Sequence, residues 1–261
     1  MNKLQEILQG WRDGARGAYR LVKFRRQIPL GDYLDVSKLS LFARVFPYTA
    51  VSYARLNNVY TLAEKVSKDS IEGAFVECGV WRGGCSAVMA TVAERERTHR
   101  YTYLFDSFRG MPEPGPNDDP SVIDAPEGKF GGKAIPMGAD AVSMGEVADL
   151  LFRKLKLAPT VVKLVEGWFQ DTVPRAGRWI GPIAILRLDG DNYESTKVCF
   201  EHLYGNVVVG GYVIIDDFGS KPGCRLAVDE FRTANGISDE LRRIDSTGVF
   251  FKKSSPLRGA A

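Results

Sequence analysis

Apolar and polar positions follow two different patterns along the chain, and the change falls near residue 70. Before it, segments such as "TLAEKVSKDSI" (61–71) space their apolar residues at helical intervals. After it, short apolar runs without strict alternation take turns with amphipathic segments. Such runs, rich in Val, Ile or Tyr, are typical of parallel strands covered on both faces. The pattern predicts a helical N-terminal extension over 1–70 and an α/β domain over 71–261.

Five apolar runs and four amphipathic segments make up the predicted α/β domain. The strand candidates are "AFVECG" (74–79), "YTYLFD" (101–106), "TVVKLVEG" (160–167), "IAILRLDG" (183–190) and "GYVIIDD" (211–217). The helix candidates are "GGCSAVMATVAERE", "DAVSMGEVADLLFRKL", "YESTKVCFEHLY" and "CRLAVDEFRTA". Alternation of this kind predicts a doubly wound sheet. Near the C-terminus, "ELRRIDSTGVFFKK" predicts a hairpin that places an antiparallel strand at the edge of the sheet.

One long segment has no period at all. Residues 107–140 are dense in Gly and Pro, and they directly follow the second predicted strand. A loop of this length in a compact domain is usually a lid, a binding loop or disordered. Ligands of open α/β sheets sit beyond the carboxyl ends of the strands. We therefore predict a lid over about 107–145.

Composition and cysteine usage narrow the class of protein. The 261 residues are 44% hydrophobic and 26% charged, as in an ordinary globular protein. The four cysteines form no CxxC pair, which favours reduced thiols and a cytoplasmic location. Two histidines are too few for a histidine-built metal site. The net charge of +3 gives no general affinity for polyanions, so no nucleic-acid partner is expected.

The first thirty residues carry seven Lys or Arg against two acids. They contain no apolar run long enough for a secretory signal or for the roughly 18 residues of a membrane span. A basic amphipathic helix could touch an anionic membrane peripherally or pack on a partner, including a second copy of the chain in a homo-oligomer. The alternative is a helical cap with a solvated basic face.

Acidic residues follow the fourth and fifth predicted strands. "LDGDNYES" brings Asp189 and Asp191, and "IDDF" brings Asp216 and Asp217. Neighbouring strands would gather these four carboxylates at one sheet edge, where they repel unless a cation or proton intervenes. A site made of oxygen ligands suits Mg²⁺ or Mn²⁺. The alternative is local capping, with Asp191 at the start of the next helix and Asp217 at the start of a turn.

The first two predicted strands end in residues suited to a nucleotide-like cofactor. "ECGVWRGGCS" places Glu77 and Gly79 before a glycine pair that begins a helix, so backbone N–H groups and close approach are both available. Asp106 ends the second strand, where an acid commonly binds a ribose diol. The alternative for Asp106 is capping of the turn in "DSF".

Five stretches together resemble the macrocin O-methyltransferase (TylF/MycF/NovP-like) family: "FVECGVWRGGCS", "LFDSFRGMPEP", "VEGWFQDTVP", "LRLDGDNYEST" and "GGYVIIDDFG". The resemblance covers roughly residues 70–235 in the family's order. It implies an enzyme that methylates sugar hydroxyls of bacterial natural products with S-adenosylmethionine. It also implies the Rossmann-like class I methyltransferase fold, a seven-stranded, mostly parallel sheet with an antiparallel last strand.

The resemblance also implies roles for individual residues. Asp189, Asp216 and Asp217 would bind Mg²⁺ or Mn²⁺, and Asp191 could share or replace the role of Asp189. Apart from the resemblance, the clustered aspartates predict a carboxylate general base, either Asp189 or Asp191. Asp189 is the first choice for that base. The residues implied to bind S-adenosylmethionine are Glu77, Gly79, Val80, Trp81, Gly83, Ser86, Asp106, Ser107, Gly167, Trp168, Phe169 and Asp189.

The sequence leaves alternatives open for the acceptor and for the class of reaction. A small-molecule or saccharide acceptor is expected. The sparse aromatic content of the predicted lid (Phe108 and Phe130), with Arg109, Asp118 and Asp119, favours a sugar or glycan over a catechol-type phenol. A Mg²⁺-dependent phosphohydrolase would need a basic clamp, for which Arg187, Lys221 and Arg225 are available. A third alternative is a non-catalytic module tethered through its basic N-terminus.

Overall fold

The fold is built on one seven-stranded sheet, in a computed structural model that describes residues 22, 24–96, 100–118 and 137–257. The spatial order of the strands is β3-β2-β1-β4-β5-β7-β6. The strands are β1 (Ala74–Cys78), β2 (Thr102–Asp106), β3 (Val162–Glu166), β4 (Ile183–Leu188), β5 (Val207–Ile215), β6 (Arg242–Arg243) and β7 (Val249–Lys252). The first five are parallel to one another. This confirms the predicted seven-stranded, mostly parallel α/β fold.

Helices precede the sheet and connect its parallel strands. They are α1 (Val36–Val45), α2 (Tyr53–Lys68), α3 (Gly84–Arg95), α4 (Met144–Ala148), α5 (Phe169–Trp179), α6 (Tyr193–Leu203) and α7 (Pro222–Ala234). Short 3₁₀ turns cover Leu30–Leu34, Phe46–Tyr48, Pro116–Asp118 and Tyr204–Asn206. Each predicted βα crossover of the sheet is therefore present.

Alternate strand residues face two separate hydrophobic cores. Phe75 and Ile185 join the side chains of α1, α2 and α3 on one face of the sheet. Val76 and Leu186 join those of α5, α6 and α7 on the other. Because both faces are covered, the strands carry the nearly continuous apolar runs from which they were predicted.

The helices before the sheet belong to the first of these cores. Leu56, Val59, Ala63 and Val66, spaced three or four residues apart on α2, are all buried. The side chain of Ser52 accepts a hydrogen bond from the backbone N–H of Arg55 and so caps this helix. Arg55, in the first turn of α2, contacts Asp216 directly after β5, so this turn lies at the carboxyl edge of the sheet.

The C-terminal hairpin confirms the predicted antiparallel strand, with one change of position. β7 pairs antiparallel with β5 and therefore lies inside the sheet. The edge of the sheet is the two-residue strand β6, which pairs antiparallel with β7. A very short edge strand that carries two exposed arginines gives little template for pairing with other chains.

Two element boundaries differ from the sequence pattern. The helix predicted over 140–155 starts at Met144 behind a Ser143–Glu146 capping box, and it continues as a π-helix over Asp149–Lys154. β5 begins at Val207, four residues before the predicted run, because Val207–Val209 extend the strand ahead of two glycines. Glycine is unfavourable inside a strand, so Gly210 and Gly211 interrupted the apolar pattern from which the strand was predicted.

Parts of two predicted features lie outside the described residues. These are the basic N-terminus up to residue 21 and residues 119–136 of the predicted lid, with Asp119 and Phe130. Where the predicted lid is described, its two ends bond to each other through the backbone, from Met111 N to Ala139 O and from Gly138 N to Met111 O, each at 2.9 Å. Across the described ranges, no helix is both long and apolar enough to span a membrane.

Candidate active site

A cavity of about 300 Å³ opens at the carboxyl ends of β1, β2, β4 and β5. Most of the residues predicted to bind a cofactor or metal line it. They are Glu77, Gly79, Val80, Trp81, Asp106, Ser107, Trp168, Phe169, Asp189, Asp191, Asp216 and Asp217. The sheet therefore brings the two predicted groups, one for a cofactor and one for a cation, into a single space.

Gly79 is required where β1 comes closest to the end of β4. Its φ of +94° lies in the region that side chains rarely adopt. A Cβ at this position would also overlap the backbone carbonyl of Asp189. The two segments are joined there by a 2.8 Å hydrogen bond from Asp189 N to Cys78 O. Gly79 thereby lets the first acidic residue of the β4 end reach the cavity.

Glu77 is a buried carboxylate that is already partnered. Arg187 donates to its Oε1 at 2.6 Å, and the hydroxyl of Ser86 donates to its Oε2. Burial raises the pKa of Glu77 to about 7, against the lowering effect of the Arg187 charge. Glu77 therefore links β4 to α3 through these hydrogen bonds, and it also lines the cavity.

Asp106 accepts three backbone hydrogen bonds. Its Oδ2 accepts from Val80 N at 2.7 Å and from Trp81 N at 3.1 Å, and its Oδ1 accepts from Phe108 N at 2.8 Å. The bond from Phe108 is the turn-capping contact considered as the alternative role of this residue. Asp106 still lines the cavity, so capping and contact with a ligand hydroxyl are compatible.

Three of the predicted cofactor residues are not among the residues that line the cavity. Gly83 precedes α3 with a φ of +85°. Ser86 is fully buried against Glu77. Gly167 donates its N–H to the carbonyl of Asp106 at 2.9 Å. These residues shape the strand ends, while Trp168 and Phe169 reach the cavity beside them.

The ends of β4 and β5 bring three carboxylates together. One oxygen from each of Asp189, Asp216 and Asp217 lies within 4.8 Å of the others. Oδ2 of Asp217 is buried and finds no hydrogen-bond partner among the described residues. Burial raises the pKa of Asp217 well above its ordinary value, and the charges of Asp191, Asp189 and Asp216 raise it further.

Arginines balance part of this negative charge. Arg187, whose side chain is 1% exposed, bonds Asp189 at 2.8 Å and Asp216 at 2.6 Å in addition to Glu77. Arg55 from α2 bonds the other oxygen of Asp216. Lys221 lies 3.3 Å from Asp191.

The network is left with more acids than bases. Its carboxyl groups are those of Glu77, Asp189, Asp191, Asp216, Asp217 and Asp245, against the cations Arg55, Arg187 and Lys221. This is a formal surplus of three negative charges. An all-oxygen donor set with an unpartnered carboxylate oxygen and surplus negative charge fits Mg²⁺ or Mn²⁺.

Local capping, the alternative for the acids after β4 and β5, accounts for only part of what is seen. Asp191 has a φ of +58°, and the capping position of α6 falls on Asn192, whose side chain makes no capping bond. Asp118 supplies that bond instead, since its Oδ1 accepts from Tyr193 N at 2.7 Å. Asp217 does start a turn, because its carbonyl accepts from Lys221 N at 2.9 Å.

Residues that sequence reasoning left unassigned complete the cavity. Tyr48, Thr49, Ala50, Val51 and Arg55, all before the sheet, form one wall. Met111, Pro112, Ala139 and Asp140 line it from the predicted lid, and Gln170 and Ser195 from the helices.

For Arg187 the sequence held a usable signal, since a cation inside the apolar run "IAILRLDG" must find buried acids. The other wall residues have no such signal.

The clamp expected of a phosphohydrolase is already occupied. Arg187 bonds three carboxylates, Lys221 pairs with Asp191, and Arg225 lies 3.5 Å from Asp229. These three cations are therefore engaged by acids of the chain itself, which argues against that class.

The fold and this cavity define a class I methyltransferase. A family model described as macrocin O-methyltransferase (TylF) matches residues 42–253, and the chain belongs to that family. It is 37% identical over 212 residues to demethyldecarbamoylnovobiocin O-methyltransferase of Streptomyces niveus, covering 79% of this chain and 76% of that protein.

Two further comparisons agree with the family. The chain is 38% identical over 212 residues to 8-demethyl-8-(2,3-dimethoxy-alpha-L-rhamnosyl)-tetracenomycin-C 4'-O-methyltransferase of Streptomyces olivaceus, covering 80% of this chain and 76% of that one. The solved structure of the O-methyltransferase NovP superposes with a TM-score of 0.67 at 35% identity, over 80% of this chain and 83% of that one. The family and the enzyme class expected from the sequence, an O-methyltransferase, are thereby confirmed.

Proposed function

We propose that this enzyme transfers a methyl group from S-adenosylmethionine to a hydroxyl of a sugar or of a glycosylated natural product, with the help of Mg²⁺ or Mn²⁺. The observation that carries the proposal is the single cavity that joins the predicted cofactor residues to the acid cluster. A relative whose name specifies a rhamnosyl group supports a sugar acceptor.

Residues at one end of the cavity would bind the cofactor, and residues at the other end would bind the cation. S-adenosylmethionine, held by Glu77, Asp106 and the residues around them, would supply an electrophilic methyl group. A divalent cation held by Asp189, Asp216 and Asp217 would supply Lewis acidity toward the acceptor hydroxyl. Arg187 holds two of these carboxylates in place, which preorganises the site.

The chain's own chemistry is proton removal and positioning. S-adenosylmethionine would supply the methyl group to the acceptor oxygen and leave as the neutral thioether, and a carboxylate of the chain would take up the hydroxyl proton. We assign this step to Asp191, because Asp189 belongs to the cation triad and also bonds Arg187. Holding both reactants in one cavity converts the step into an intramolecular one.

An intact-mass screen tests this function. Candidate sugars, glycosylated natural products and catechols would be incubated with the enzyme, S-adenosylmethionine and Mg²⁺, and again with excess EDTA. We expect one added methyl group on a saccharide hydroxyl and loss of the product with EDTA. Methylation of catechols alone would favour the catechol-type alternative, and full activity in EDTA would remove the cation from the proposal.

We also propose that the protein forms a homo-oligomer through its N-terminal region and that it is cytoplasmic. Leu30 and Leu34, each 88% exposed, precede α1, and Val36, its first residue, is 73% exposed; these exposed apolar side chains close together in sequence support a homo-oligomer. The four cysteines are buried and free, which agrees with a cytoplasmic location. Light scattering on a Leu30→Asp, Leu34→Asp variant would test the oligomer.

A further inference from the structure

Arg55 is a partly buried cation at the acid cluster that comes from outside the strand ends. It lies in the first turn of α2, and its side chain is 17% exposed. Its guanidinium reaches Asp216 at the end of β5, and it reaches Asp245 and Thr247 in the hairpin turn. One side chain therefore joins the first helices, the acid cluster and the C-terminal hairpin.

The carboxylate of Asp216 is shared between two arginines that differ in their surroundings. Arg187 donates to Oδ1 from the neighbouring strand, and it is also held by Glu77 and Asp189. Arg55 donates to Oδ2 and lines the cavity. Both arginines line the cavity, but Arg187 is fixed to the sheet by three carboxylates, while Arg55 is the more exposed of the two and comes from outside the sheet.

Arg55 keeps a second acid partner whatever happens at Asp216. Its Nε donates to Oδ2 of Asp245 at 2.9 Å. Asp245 is itself fixed by the backbone N–H groups of Thr247 and Gly248, each at 2.9 Å, and by the hydroxyl of Ser52 at 2.7 Å. The guanidinium can therefore release Asp216 without becoming an unpaired buried charge.

We propose that Arg55 is a built-in counter-ion of the acid cluster, which competes with a divalent cation for Asp216 and weakens the binding of that cation. The proposal rests on the cation role given under the proposed function. Two positive charges that share one carboxylate repel each other at short range, so the resident one lowers affinity for the second. In return, Arg55 neutralises the cluster whenever no cation is bound.

Titration of the full-length protein with Mn²⁺ tests this competition without any turnover. Free Mn²⁺ is followed by electron paramagnetic resonance, with neither cofactor nor acceptor present. Arg55→Met should bind Mn²⁺ at least about tenfold more tightly than the unchanged protein, because a unit charge a few ångströms away has been removed. Arg55→Gln, which keeps a donor for Asp245, should show the same direction and serves if Arg55→Met does not fold.

Two matched variants separate competition from general electrostatics. Arg55→Lys keeps the charge and should leave the Mn²⁺ dissociation constant within about threefold of the unchanged protein, since charge rather than the guanidinium fork is what competes. Lys221→Met removes a cation that pairs with Asp191 instead of a triad member, so its tightening should be smaller than that of Arg55→Met.

Thermal unfolding gives a second readout. Arg55→Met should melt lower than the unchanged protein in EDTA and should gain more from added Mn²⁺, because the cation then replaces the missing counter-ion. Thr247→Val removes a contact of Arg55 outside the cluster, so it should lower the melting temperature equally with and without Mn²⁺.

The outcomes are distinguishable. If the unchanged protein binds Mn²⁺ and Arg55→Met and Arg55→Gln bind it no more tightly, Arg55 instead holds Asp216 in position, and the counter-ion role is wrong. If neither the unchanged protein nor any variant binds Mn²⁺, the cation role of the proposed function and this inference fall together. If only the Arg55 variants bind, the competition is supported in its strongest form.

Discussion

The two ends of the cavity use their carboxylates in opposite ways. At the ends of β1 and β2, Asp106 and Glu77 have both oxygens engaged by donors of the chain. At the ends of β4 and β5, Asp217 keeps a buried oxygen for which the described part of the chain offers no donor. The chain itself therefore satisfies Asp106 and Glu77, and it satisfies Asp216 through two arginines, whereas Asp217 holds negative charge that an outside cation or proton can satisfy. The variants below test this contrast.

The largest expected effect is on turnover at the acid cluster. Asp217→Asn should lower the rate of methyl transfer by about 10³-fold or more, because the change removes one of the three proposed ligands of the cation. In EDTA the same change should leave the free energy of unfolding unchanged or higher, since it removes a buried charge among like charges. Methyl transfer assays and urea titrations measure the two effects.

Asp229→Asn is the matched control for Asp217→Asn, because Asp229 pairs with Arg225 on α7 away from the cavity. It should leave the rate unchanged. A clear loss of stability in Asp217→Asn would place Asp217 among the carboxylates that hold the fold and would contradict the contrast.

Asp191→Asn separates the proton acceptor from the cation ligands. We expect the turnover rate to fall by about 10²- to 10⁴-fold, the usual contribution of a general base. Binding of Mn²⁺ should persist, since Asp191 lies outside the triad. Loss of Mn²⁺ binding together with activity would instead make Asp191 a ligand and return the general base to Asp189.

At the other end, Asp106→Ala should act on stability. Three backbone N–H groups lose a charged acceptor, and we expect the free energy of unfolding to fall by about 2–4 kcal/mol. The loss should be equal in EDTA and in Mg²⁺, as measured by urea unfolding without S-adenosylmethionine. A loss that Mg²⁺ restores would show that the two ends are not independent.

Asp118 offers a smaller effect, at the turn that carries Asp191. Asp118→Ala removes the cap of α6 and should cost about 1 kcal/mol of unfolding free energy. Gly223→Ala should act similarly, because a Cβ there would overlap the Asp118 carboxylate. If each works by breaking the same contact, the double variant should be less destabilised than the sum of the two.

The smallest effect concerns pH and the hairpin turn. Hydrogen bonds from Gly248, Thr247 and Ser52 and the charge of Arg55 hold the pKa of Asp245 well below its ordinary value, although burial opposes them. A depressed folded pKa contributes stability that is complete above the unfolded value of about 3.9 and is lost as pH falls below it.

Asp245→Asn should therefore be destabilised relative to the unchanged protein at neutral pH, and the gap should narrow below about pH 4. Unfolding free energies measured by urea titration across the acid range check this. A difference in unfolding free energy that did not change with pH would mean that the charge of Asp245 does not contribute to stability.

The sequence was most informative where one physical rule dominates. Buried parallel strands have to be apolar, so all five parallel strands could be predicted, and the acids at their ends followed from the topology. Arg55 and the wall at residues 48–51 could not be predicted in this way. They line the cavity because α1 and α2 pack against the sheet. The local sequence pattern predicts each helix, but it does not predict which of the adjoining residues will lie at a distant edge of the sheet.

The wall formed by residues 48–51 comes from a part of the chain that carries none of the proposed reactive groups. This part of the cavity surface and the acidic strand ends are thus encoded in separate stretches of sequence. Exchange of this short stretch between relatives changes the cavity while the acidic edge is inherited intact, so libraries confined to it test whether acceptor preference can be changed apart from methyl-transfer chemistry.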